Sequence, residues 1–132
     1  EICLQLEDES FKVVILFTGH YPPEQIDALE EGARRARKMA KGTRFLVWAD
    51  NQFLGDQYVG DHAGATETSF QMFFDPKSIV LDSLPDRPLT LDGDGVMGDD
   101  PREASVERGE LQLKVVLQNV VPKVKALLEE IK

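Results

Sequence analysis

Residues 12–17 read Lys-Val-Val-Ile-Leu-Phe and residues 44–49 read Arg-Phe-Leu-Val-Trp-Ala. The first stretch holds five consecutive apolar residues, three of them β-branched, which is the pattern of a strand buried on both faces of a parallel sheet. The second reads as another strand. Between them, Ile26, Leu29, Ala33, Ala36 and Ala40 recur at steps of three and four, so Glu24–Lys41 forms a helix with one apolar face. That helix is acidic at its start (Glu24, Asp27, Glu30, Glu31) and basic at its end (Arg34, Arg35, Arg37, Lys38, Lys41), which complements its macrodipole. Gly42 is placed to cap it. A strand, a helix and a second strand in this order predict parallel pairing with a right-handed crossover.

Outward from this unit the pattern is less regular. The turn Thr18-Gly19-His20-Tyr21-Pro22-Pro23 ends the first strand, and Asp50–Asp61 is a polar loop. Thr66–Phe74 predicts a short helix with Phe70, Phe73 and Phe74 as its apolar face. Asp82–Pro101 reads as a long loop with three Pro, three Gly and six Asp, a length that implies a function or a small hairpin. From Arg102 to Lys132 the pattern is helical, with Val106, Leu113, Leu117, Val120, Val124, Leu127 or Leu128, and Ile131 on the buried side. Pro122 is expected to kink or split this helix.

Composition sets the frame. The chain has 132 residues, 42% hydrophobic and 30% charged, as in a soluble single domain. No apolar run approaches a membrane span, nothing resembles a signal peptide, and the single Cys3 allows no internal disulfide. A cytoplasmic location is expected. Of the net charge of −9, residues 45–101 carry −9, residues 1–44 carry −1 and residues 102–132 carry +1. That field disfavours nucleic acid and anionic membranes and suits divalent cations or small molecules. A strand so apolar in a chain with so few strands also predicts association through a sheet edge, hence a homo-oligomer.

Three side chains stand where chemistry would be. His20 directly follows a strand, and parallel sheets bind ligands beyond the carboxyl ends of their strands. His62 lies in Gly60-Asp61-His62-Ala63-Gly64, where Asp61 can orient an imidazole and the small residues allow close approach. Glu67 sits in the first turn of the following helix, either complementing its dipole or facing the pocket as a ligand. His20 reads equally as a turn histidine that caps backbone groups, and together the three make a partial site. Gly93-Asp94-Gly95-Val96-Met97-Gly98 matches a dinucleotide pattern in letters only, because no strand precedes it and Asp92, Asp94, Asp99 and Asp100 repel phosphate.

The segment Asp61-His62-Ala63-Gly64-x-x-Glu67-Thr68-Ser69 resembles the HAG-x-x-ETS signature of the creatininase (creatinine amidohydrolase) family. Gly95-Val96-Met97-Gly98-Asp99-Asp100-Pro101, with Ala104-Ser105-x-Glu107-x-Gly109, resembles its later G-V-x-G-D-P…A-(S/T)-x-E-x-G segment. Thr18-Gly19-His20 resembles its N-G-H turn, with Thr18 replacing Asn. The resemblance implies an α/β fold, a layered α/β/α arrangement around a parallel sheet, of which residues 1–132 are the C-terminal portion as a single domain. It implies a metal-dependent hydrolase of a cyclic amide or other non-peptide C–N bond. His20 and Glu67 become ligands to divalent metal ions (zinc, manganese or iron, two per full site), and His62 becomes the acid/base serving the leaving nitrogen. Tyr21, Asp61 and Gly64 are expected to contact the small-molecule substrate. The chain departs from the family in lacking an E-x-H…D motif, in Tyr21-Pro22-Pro23 after His20, and in Ala65 where many members carry an acid. A missing N-terminal half or a companion chain is therefore expected to supply the remaining ligands, and a non-catalytic subunit is the rival reading.

Overall fold

The computed structural model describes every residue except 21, 56–59 and 132. It is a mixed helix–strand chain with one small parallel sheet, an α/β fold. The helices are α1 (Ile2–Asp8), α2 (Pro23–Met39), α3 (Ala65–Phe74), α4 (Leu91–Asp94) and α5 (Val106–Glu129), and the strands are β1 (Val13–Thr18) and β2 (Arg44–Ala49). The chain forms two compact units, Glu1–Phe53 with Gln118–Lys132, and Leu54–Leu117. Among the described residues no helix is long and apolar enough to cross a membrane.

In the first unit, β1 and β2 pair in parallel, with Val14 opposite Phe45 and Thr18 opposite Ala49. Alternation along the strands puts Val14, Leu16, Phe45 and Val47 on one face. Ala33 and Ala36 of α2 join Val14 and Phe45 in the buried cluster, and Cys3, Leu6, Leu16, Ala40 and Val47 pack against it. The alanines let the helix lie close to the sheet. On the other face Phe53 stacks on Phe17, with ring centroids 6.2 Å apart, and meets Trp48 edge-on at 5.2 Å. The expectation that β1 is buried on both faces is not met: Val14 is its one buried residue, and Phe17 is 48% exposed. A two-stranded sheet with one helix-covered face shields only alternate residues, however apolar the run.

Other expectations shift as well. Gly42 does not cap α2, which ends at Ala40 in an extended conformation. The Gly42 N–H instead donates to Glu7, from an N-terminal helix the apolar pattern did not announce. The C-terminal helix is not split, because α5 runs through Pro122. Its most buried residues are Gly109 and Val116, while Val106, Leu117 and Leu128 are exposed. The expected stripe is correct at Leu113, Val120, Val124, Leu127 and Ile131, all half-buried.

Candidate functional site

His20 belongs to the first unit. It leaves the carboxyl end of β1 in a turn pinned by Thr18, whose hydroxyl accepts the His20 N–H (3.1 Å) and donates to the His20 carbonyl (2.8 Å). Because Thr18 pairs with Ala49, Gly19 and Asp50 leave the sheet side by side. A Cβ on Gly19 would stand 3.3 Å from Asp50 Oδ2, so glycine lets the turn lie against that carboxylate. Asp50 was absent from the sequence-derived candidates. Its signal is position, an acid directly after an apolar strand at the ligand-binding end of a parallel pair. Tyr21 lies outside the described residues.

The second unit gathers Asp61, His62, Gly64 and Glu67 around the start of α3. The first N–H groups of a helix lack intrahelical partners. Here Ala65 N–H donates to the Asp99 carbonyl (3.0 Å), Thr66 N–H to Asp61 Oδ2 (2.6 Å) and Glu67 N–H to Asp61 Oδ1 (3.3 Å). Asp61 is 6% exposed, so its carboxylate works from inside the loop. Burial pushes its pKa up, the Thr66 and Glu67 N–H groups pull it down, and the charge of Glu67 adds to the rise.

Gly64 is buried and has no room for a side chain. A Cβ there would meet Asp61 Oδ2 at 2.6 Å and the Asp99 carbonyl at 2.9 Å. Gly98 is constrained twice, by φ of 98° and by Asp61 Cβ at 2.5 Å from its ideal Cβ position.

His62 is fixed by its backbone and exposed at its side chain. Its N–H and carbonyl each exchange a 2.9 Å hydrogen bond with Met97, an isolated antiparallel bridge that ties the long 82–101 segment to the His62 loop. The next residue, Ala63, is left-handed at φ 50°. Glu67 reaches back so that its Oε2 accepts the Ala63 N–H at 2.7 Å, which stabilises a backbone conformation that L-residues avoid. Thus Glu67, in the first turn of α3, holds the loop that presents His62.

Two further residues brace the unit. Ser105 caps α5, its hydroxyl accepting the Arg108 N–H (3.1 Å), and its own N–H donates to Ser69 Oγ (3.2 Å). Arg108 bonds both Thr66 Oγ1 and Asp99 Oδ2 at 3.1 Å. Of the expected aromatic face of α3, Phe70 and Phe73 are half-buried while Phe74 is 66% exposed, and the buried residues are the small Ala65, Thr66 and Ser69. Gly109 lets α5 lie against α3, because a Cβ there would run into the Ser69 carbonyl. The 93–98 segment is the end of α4 followed by the Met97 bridge, with Asp94 held by Arg87 in two 2.8 Å bonds.

Among the described residues no three His, Cys, Asp or Glu side chains gather in a group able to hold a metal ion. The first unit offers His20 and Asp50 at the carboxyl end of its sheet, and the second offers His62 and Glu67. A catalytic metal takes about three protein ligands, so neither set fits a metal centre by itself.

Residues 1–124 match the family model for creatininase, described as creatinine amidohydrolase, and the chain belongs to that family. No curated protein and no solved structure matches it.

Proposed function

We propose that the protein takes part in hydrolysing a cyclic amide or other non-peptide C–N bond, with His62 protonating the leaving nitrogen. The observation that carries this reading is the contrast at His62, whose backbone is clamped by Met97 while its imidazole stays exposed. A proton donor needs a fixed origin and an open path to the scissile bond. Glu67 supports it through Ala63. Asp61 and Gly64, both buried, act on the substrate through the loop they shape, and Tyr21 is its remaining contact in this reading.

Divalent zinc, manganese or iron suits the imidazole and carboxylate donors His20 and Glu67. The donors in each unit fall short of a full set, so a companion chain or further segment contributes the rest. A homo-oligomer, a cytoplasmic setting, and partners that are neither nucleic acid nor membrane belong to the same proposal.

The test is hydrolysis of a panel of small cyclic amides by the protein purified with its companion chain. Wild type opens one of them, and His62→Ala loses about 10²–10⁴-fold in rate with its circular dichroism unchanged. Full activity in His62→Ala removes the assignment. A second reading, a non-catalytic member serving assembly or ligand binding, draws on the lack of a three-ligand group among the described residues. Turnover by the assembled protein decides against it.

A further inference from the structure

The turn between α2 and β2 already holds an anion, and the anion comes from the chain itself. The N–H groups of Lys41, Gly42 and Thr43 all donate to Glu7 Oε1, at 2.8, 3.0 and 3.1 Å. Successive backbone N–H groups converging on one oxygen form a nest, a concavity that selects anions. Beside it lies an open depression of about 450 Å³ lined by residues 37 and 40–46.

The lining includes three cations, Arg37, Lys41 and Arg44, and no carboxylate. Arg37 is held by its Nε–H bond to the Phe45 carbonyl (2.8 Å) and by Glu30 at 3.5 Å, and Arg44 is held by Glu130 at 2.6 Å. Among the described residues the Lys41 ammonium has no ion pair. Glu30 and Glu130 offset the charges of Arg37 and Arg44, and the C-terminal end of α2 adds a negative pole of about half a charge, so Lys41 is the cation whose charge remains uncompensated among the described residues. The Thr43, Lys41 and Gly42 N–H bonds hold the Glu7 carboxyl below its ordinary range despite some desolvation, as expected of a nest that favours the ionised form.

We propose that this depression binds a small oxyanion of the phosphate or carboxylate class, and that Glu7 fills its donor nest until such an anion displaces it. Glu7 is then an internal competitor, carried on a short helix that buries no residue. The site is separate from the His62 loop and does not depend on its function.

The experiment is an amide-resolved NMR titration of the full chain with inorganic phosphate at constant ionic strength, with acetate as a parallel arm. Phosphate is expected to shift the Lys41, Gly42 and Thr43 amides saturably. Glu7→Gln removes the competing charge while keeping the side-chain shape, and tightens phosphate binding about tenfold. Lys41→Ala weakens it by about the same factor, equal to about 1.4 kcal/mol. Glu7→Ala repeats the first arm with the acceptor gone. Stronger response to acetate assigns the carboxylate class, and to phosphate the other. Absence of saturable shifts at 41–43, or equal affinity in wild type and both Glu7 variants, overturns the proposal.

Discussion

In the first unit the buried cluster is apolar throughout, Val14, Ala33, Ala36 and Phe45 between one helix and two strands. In the second, Asp61, Thr66 and Ser69 are buried alongside Leu54, Ala65 and Val116. The first is held by non-directional burial, which depends on volume and tolerates exchange of like for like. The second is held by directed bonds to Asp61, Ser69 and Glu67 and by glycines that let backbones meet. Directed bonding fixes a loop more sharply than apolar packing does, and it is the second unit that carries His62.

The largest effect that breaks this contrast comes from Phe45→Ala, which removes a side chain only 1% exposed. It should cost about 3–5 kcal/mol by chemical denaturation, whereas Phe45→Leu should cost far less. In the second unit a single methyl should rival it. Gly109→Ala presses a carbon into the Ser69 backbone and should cost about 3 kcal/mol, read from the same denaturation curves. A cost below 1 kcal/mol, by contrast, would mean α3 and α5 can part freely.

Removing the internal cap should be milder. Asp61→Ala frees two helix N–H groups and should cost about 0.5–2 kcal/mol, with Asp61→Asn losing less. The pH dependence carries a sign that separates the residues. Glu31, beside Arg34 and Arg35, is held at about 2, and Asp94, beside Arg87, also at about 2. Each contributes stability above its ordinary value, 4.5 or 3.8, and loses it as the pH falls toward 2. Asp61 is raised, so its ionisation opposes folding as the pH rises above 3.8. Urea midpoints against pH should show a shallower acid loss in Arg87→Ala and a lost opposing slope in Asp61→Asn.

The first unit was legible because its signals are periodic. The strand at 44–49 and the helix between the strands follow from spacing alone, and β2 has those bounds in the structure. What periodicity cannot convey is how many neighbours a strand will have, and so β1 was expected to be buried on both faces. The second unit was legible only as motifs. His62, Gly64, Glu67, Gly98, Ser105 and Gly109 stood out as letters, while their joint purpose, backbone bonds and close approaches around Asp61 and Ser69, needed coordinates. Glu7 and Asp50 were missed because each acts through a neighbour remote in sequence, Thr43 and Gly19, and no local pattern encodes that.

The claim that the His62 loop serves a metal-dependent hydrolase is tested most directly by metal content in Glu67→Gln. The amide can still accept the Ala63 N–H, so the loop should survive while the ligand charge is lost. Elemental analysis of wild type and variant, each purified with the companion chain proposed above, should show bound divalent metal in the first and a sharp loss in the second, with matching thermal unfolding. Equal metal in the two would contradict the account, leaving Glu67 as a brace for the loop and nothing more.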